Sequence, residues 1–163
     1  FVGAPMIYYG TEAGMWGGDD PCDRMPMVWP DLDYATQKAD PLGRPREPDP
    51  VAFHGQLHDF YRQAIALRHR EPALRRGSIQ FFHARDEQQS VAFERQLGGD
   101  RLCVAINRGT GPGEVELPAG QWQIVLSTQT GDPTQLDRRD ETNRVRLPPL
   151  TGVVLKQTAA PGD

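Results

Sequence analysis

Two hydrophobic periods divide the chain. Between residues 53 and 70, Leu57, Phe60, Tyr61, Ala64, Ile65 and Leu67 recur at spacings of three and four with polar residues between them, which predicts an amphipathic helix. Pro72 disfavours helix at Glu71, so this helix is expected to end near Arg70, with Arg68 and Arg70 in its last turn complementing the dipole. From Gly77 onward the pattern changes to short runs rich in Val, Ile, Phe and Leu, over residues 78–84, 90–96, 101–107, 114–117, 122–127, 143–147 and 153–156. Gly, Asp and Pro separate them, and Leu97-Gly98-Gly99-Asp100 is a hairpin signal. Such a series of short strands predicts an antiparallel sandwich over residues 77–158, with residues 159–163 as a frayed tail. The change of period at residues 76 and 77 is the expected domain boundary.

Ahead of the helix the pattern is broken. Residues 6–9 are a short apolar run between Pro5 and Gly10, read as a buried strand. Residues 10–29 follow neither period and concentrate Gly, Asp, Arg, Met and Trp, the makeup of a binding loop. Residues 30–50 hold Pro41, Pro45, Pro48 and Pro50, which exclude a regular helix and predict an irregular connection.

Composition narrows the function classes. A chain of 163 residues suffices for one ordinary domain, or a small domain plus part of another, and falls short of the roughly 250 residues of a (β/α)8 barrel. Its 17 Gly and 15 Pro stay below the share of about 25–30% that marks disorder, so a loop-rich globular chain is expected. A net charge of -4 with both signs interspersed offers no basic face for nucleic acid, and no apolar run approaches a membrane-spanning length. Nucleic acid and membrane are thus not expected partners. Cys22 and Cys103 lack metal-ligand spacing and read as reduced thiols, Cys103 packing as a small apolar residue, which favours a cytoplasmic location. The chain starts at Phe1, so a signal peptide in a preceding part would not be seen. His54, His58 and His69 show no metal-site pattern and receive no role. No cofactor is expected.

The segment from Gly3 to Trp29 carries two motifs, Tyr8-Tyr9-Gly10-x-Glu12-x-Gly14-Met15 and Asp20-Pro21-x-x-Arg24-x-Pro26-Met27-x-Trp29. Together they resemble the eighth barrel strand and following loop of glycoside hydrolase family 13, the alpha-amylase family, in its cyclomaltodextrinase, neopullulanase and maltogenic amylase branch. The acidic residue usual there between Gly10 and Glu12 is Thr11 here. FYRQAIALRHREPALRRG resembles the eighth barrel helix, and SVAFERQ, RLCVAINRG and PPLTGVVLK resemble, more loosely, the carboxy-terminal β domain. The implied fold class is an α+β fragment: residues 1–76 as the last strand, loop and helix of a (β/α)8 barrel, followed by an all-β antiparallel sandwich.

The resemblance also implies roles. Retaining hydrolysis of an α-glucoside uses two carboxyl groups about 5–5.5 Å apart, and in this family the catalytic carboxylates lie on earlier strands, so no catalytic residue is expected in this chain. Asp20 and Arg24 are implied to line the sugar site, a carboxylate accepting from sugar hydroxyls and a guanidinium donating to them; an Asp20–Arg24 ion pair that only shapes the loop is the alternative. Met15 and Trp16 are candidates to wall that site. For Tyr8 and Tyr9 barrel packing is preferred. Trp29 and Tyr34 either stack on sugar rings or fix the loop, the second being favoured, and Glu12 is read as structural, a buried partner for an arginine or for backbone amides. Expected partners are an α-glucan, maltooligosaccharide or cyclodextrin substrate and the remainder of the barrel, and the resemblance allows a homodimer of the complete enzyme. Two other readings stand beside this one: a transglycosylating relative such as an amylosucrase or a sucrose or maltose isomerase, and a non-catalytic carbohydrate-binding or interaction module built on the sandwich.

Overall fold

The computed structural model describes residues 2–15, 17, 23–40, 42–129, 135–139 and 142–158. Two compact units divide the chain, one formed by Ala4–Ile65 and the other by the chain from Ala66 onward together with the residues up to Gly3.

The larger unit is a sandwich of two antiparallel sheets. Strands β3 (Ser78–Arg85), β4 (Ser90–Leu97), β5 (Asp100–Asn107), β7 (Gln121–Ser127) and β10 (Thr151–Thr158) form one sheet in the order β3-β4-β5-β10-β7. Strands β6 (Gly113–Glu116), β8 (Gln135–Arg139) and β9 (Thr142–Leu147) form the second, in the order β6-β9-β8. Alternation decides which side chains meet between them: β10 buries Thr151, Val153 and Leu155 while Gly152, Val154 and Lys156 are only partly covered. Ala92, Cys103, Ala105, Val153 and Leu155 of the large sheet pack against Val115, Val145 and Leu147 of the small one and against Leu117 just beyond β6. Each buried Val or Leu there contributes about 1.5–3 kcal/mol. Cys103 behaves as its apolar neighbours do, and burial pushes its thiol up to about 12.

The tight turn expected at Gly98-Gly99 is present, with Leu97 paired to Asp100 across it. At the opposite end of β5, Asn107 is buried and binds the crossing between the sheets. Its Nδ2 donates to the carbonyls of Gly111 at 2.9 Å, Leu147 at 3.2 Å and Pro148 at 2.9 Å, and its Oδ1 accepts from the Gly109 amide at 3.0 Å.

Helix α1 (Gly55–Arg70) ends where Pro72 predicts, and a short second helix, α2 (Pro72–Arg76), follows it and packs on β4 and β5. Arg95, projecting from β4 and only 1% exposed, receives the end of α2. Its guanidinium donates to the carbonyls of Leu74 at 3.0 Å, Gly77 at 2.9 Å and Ser78 at 3.0 Å. Gly77 permits that approach, because a Cβ there would stand 2.5 Å from the Ala73 oxygen and 2.7 Å from the Gln96 oxygen, both backbone atoms. At the other end of α2, Lys156 of β10 donates to the buried Glu71 carboxylate at 2.8 Å. These contacts, with the burial of Leu67 and Ala73, are why the compact unit begins inside α1 and not at the change of period.

Three expectations fail here. Residues 6–9 form no strand, and Met6 is 90% exposed, Tyr8 51%, Ile7 42% and Tyr9 44%; an apolar run becomes a buried strand only where neighbouring strands supply hydrogen bonds and cover both faces. Residues 30–50 are not wholly irregular, since β1 (Gln37–Ala39) and β2 (Pro45–Asp49) pair antiparallel. Asp40 makes that turn, its Oδ1 accepting from the amides of Leu42 and Arg44 at 2.9 Å each, and these bonds hold its carboxyl below the usual range. A two-stranded ribbon is all edge, so Pro45 and Pro48 cost it little. Finally, β8 went unread because Gln135-Leu136-Asp137-Arg138-Arg139 has one apolar residue. Thr158 closes β10, and the expected tail, residues 159–163, lies outside the described residues.

Arg95→Met should lower the stability of this unit by about 3 kcal/mol, because buried carbonyls lose a charged donor, and Asn107→Ala by about 2 kcal/mol for the same reason in neutral form. Urea melts measure both. A fragment of residues 66–163 should melt at higher urea than one of residues 78–163, which removes α2 and leaves the Arg95 guanidinium without its Leu74 and Gly77 acceptors; equal midpoints would show that α2 contributes nothing.

Candidate functional site

The loop after residue 9 is built on a compact turn. Amides of Thr11, Ala13, Gly14 and Met15 donate to the carbonyls of Tyr8, Gly10, Thr11 and Gly10 at 3.0–3.2 Å. Helix α1 anchors this turn. The His54 amide donates to the Ala13 carbonyl at 3.0 Å, and His54 Nδ1 accepts from the Leu57 amide at 3.2 Å, capping the helix. Gly14 has φ +72°, and a Cβ there would come within 2.8 Å of His54 Cβ, so the turn can lie against the helix start only with glycine. Sequence reasoning left His54 without a role because histidine is not among the common capping residues; its place just before an apolar-periodic run was the available signal.

The far end of the loop is tied back to its start. The Tyr9 hydroxyl donates to the Met25 carbonyl at 2.8 Å, and the ring lies 4.8 Å from that of Tyr8. Desolvation raises the Tyr9 phenol above its ordinary value, Tyr8 and Asp23 adding to this and Arg24 opposing it. Tyr9 thus spans the base of the loop. The Trp29 amide donates to the Tyr34 hydroxyl at 2.6 Å, so Tyr34 fixes the loop's exit, while the Trp29 side chain is exposed.

Of the sequence-predicted site residues, Met15 and Arg24 are described and Trp16 and Asp20 lie outside the described residues. Met15 lines an apolar hollow of about 210 Å³ with Met25, Val28, Tyr34, Pro50 and Ala52. Arg24 has a side chain 67% exposed and its Nε stands 3.7 Å from an Asp23 carboxylate oxygen. That separation and exposure make the pair weak. The Asp20–Arg24 pairing lies outside what is described. Among the described residues no group of three or more His, Cys, Asp or Glu side chains is arranged to hold a metal ion, and no helix is long and apolar enough to cross a membrane.

A second hollow, of about 550 Å³, lies on the sandwich and is polar, lined by His83, Arg85, Glu114, Glu116, Arg144 and Arg146. Arg144 donates to Glu114 at 3.0 Å, and burial together with Arg85 holds the His83 imidazole below its ordinary value.

Residues 83–158 match the family model described as alpha amylase, C-terminal all-beta domain. The chain is 35% identical over 158 residues to a cyclomaltodextrinase of Geobacillus thermopakistaniensis, covering 95% of this chain and 23% of that protein. It is 29% identical over 157 residues to neopullulanase 2 of Thermoactinomyces vulgaris, with the same two coverages of 95% and 23%. Among solved structures, an alpha-amylase from H. orenii superposes with a TM-score of 0.70 over 96% of this chain and 33% of its own, at 21% identity. The chain therefore spans about a quarter of the length of the curated relatives it matches. On these matches the chain belongs to the alpha-amylase family of glycoside hydrolases, as a carboxy-terminal part that carries the family's all-β domain.

Proposed function

We propose that the chain is the substrate-loop and β-domain portion of an α-glucan-degrading hydrolase, acting on maltodextrins or cyclodextrins by retaining hydrolysis, and that the catalytic carboxylates are supplied by the rest of that enzyme. The observation that carries this is 35% identity with a cyclomaltodextrinase through both the loop and the sandwich. In this reading residues 1–76 are the last strand, loop and helix of the barrel, residues 77–158 the sandwich and residues 159–163 its tail. The exposed apolar side chains of residues 6–9 support it, because a row of this kind is stable in water only when something covers it.

Within the complete enzyme this portion binds and orients. The loop after a barrel strand's carboxy-terminal end stands on the face where substrate binds. There Arg24 donates to sugar hydroxyls and Asp20 accepts from them, while Met15 and Trp16 give apolar and aromatic surface to the sugar's C–H faces. Tyr9 and Tyr34 hold both ends of the loop in place, and this reduces the ordering that a bound sugar must impose. Bond cleavage is the work of the two carboxyl groups elsewhere.

The complete polypeptide should release glucose or maltose from maltoheptaose or β-cyclodextrin, and these 163 residues alone should release neither. Enzyme-like turnover by the short chain, detected by chromatography of the products, would sink the assignment. In the complete polypeptide, Arg24→Ala should lower kcat/KM for maltoheptaose by roughly ten- to a hundredfold, equivalent to about 1.5–3 kcal/mol for a lost charged hydrogen bond, with Tm unchanged. A lowered Tm with intact kcat/KM would instead make Arg24 a loop-shaping residue.

A further inference from the structure

Glu12 sits in the turn of residues 10–14, and its Oε2 is buried without a hydrogen-bond partner among the described residues. A carboxylate oxygen shut away from water and left unbonded is costly, and native proteins avoid it unless something absent completes the site. The surroundings indicate what is missing. Glu12 opens onto a groove of about 320 Å³ whose walls are Ile7, Tyr9, Tyr61 and Ile65, with His58 and Arg62 as its other titratable groups. Neither bonds that oxygen: Arg62 makes a weak, exposed pair with Asp59 at 3.4 Å, and the His58 ring packs 5.2 Å from Phe53.

We infer that Glu12 accepts the guanidinium of an arginine from the part of the polypeptide outside this chain, whose apolar stem lies along the groove. The inference rests on the proposal that the chain completes a longer enzyme. Ile7 is 42% exposed, Tyr9 44% and Ile65 46%, so the walls offer apolar cover for a long stem beside the one carboxylate that lines the groove. Lysine shares the stem but not the head: a guanidinium is planar, more weakly hydrated than an ammonium, bonds a carboxylate through two parallel N–H groups and stacks on rings such as Tyr9 and Tyr61. A backbone amide would satisfy one lone pair and leave both the charge and the apolar walls uncovered.

In the complete polypeptide, Glu12→Gln should lower Tm by about 3 °C or more, and Glu12→Leu, which leaves the arginine with no acceptor, should lower it further. Arg62→Ala should leave Tm within about 1 °C of the parent. The inference is overturned if Glu12→Gln matches the parent, if Glu12→Leu is at least as stable as Glu12→Gln, or if Arg62→Ala reproduces the Glu12→Gln loss, which would give the bond to Arg62. Failure of Glu12→Leu to fold counts as the larger loss, and the other two variants then decide. A complete polypeptide that leaves maltoheptaose intact overturns the hydrolase reading, whereas the Tm order still reports on the Glu12 bond, so the two failures are distinguishable.

Discussion

The buried guanidinium of Arg95 is the constraint on which the sandwich's attachment to its helices depends. A charge at 1% exposure persists only if nearly all its donors are used, and here they are used on carbonyls at the end of α2 and the start of β3. The helix end thereby gains the donors that its own ladder cannot provide. Glycine at position 77 follows from the same demand, because the chain must turn from α2 into β3 against backbone oxygens of both α2 and β4. Glu71 and Lys156 repeat the arrangement with charges reversed, a buried carboxylate at the start of α2 answered from β10. The short helix is thus held at each end by a strand of the large sheet.

This explains why a period change in the sequence and the division of the folded chain do not coincide. Hydrophobic periodicity reports the local element, and it changes at Gly77. Compactness follows what is packed on what: α2 is packed on the sandwich, and the chain from Ala66 onward belongs to the same unit.

How much could be read in advance depended on whether the information was local. The strands of the sandwich other than β8 were legible since half-buried strands must alternate, and the helix was legible since an amphipathic stripe has its own period. The ribbon of β1 and β2 was hidden by prolines that a paired central strand would not tolerate, and its turn rests on Asp40, whose role appears only once its side chain bonds two amides ahead of it. Residues 6–9 misled in the opposite direction, since an apolar run states what a segment needs and not whether this chain supplies it. In the loop, Met15 and Arg24 were marked by motif, but the Tyr9 tie to Met25 and the His54 cap are contacts between distant or unusual partners that no spacing announces.

The strand order of the large sheet has a consequence for how the protein is made. Strand β10 lies between β5 and β7, yet it follows every other strand of the sandwich in the chain. During synthesis on the ribosome β5 and β7 emerge first with their inner edges bare, and neither can be joined until the last strand is released. Closure of this sheet therefore waits on a long-range pairing that the order of translation delays. Until then two apolar edges stand open to neighbouring chains on the same message, and a premature stop before residue 151 would leave them open permanently.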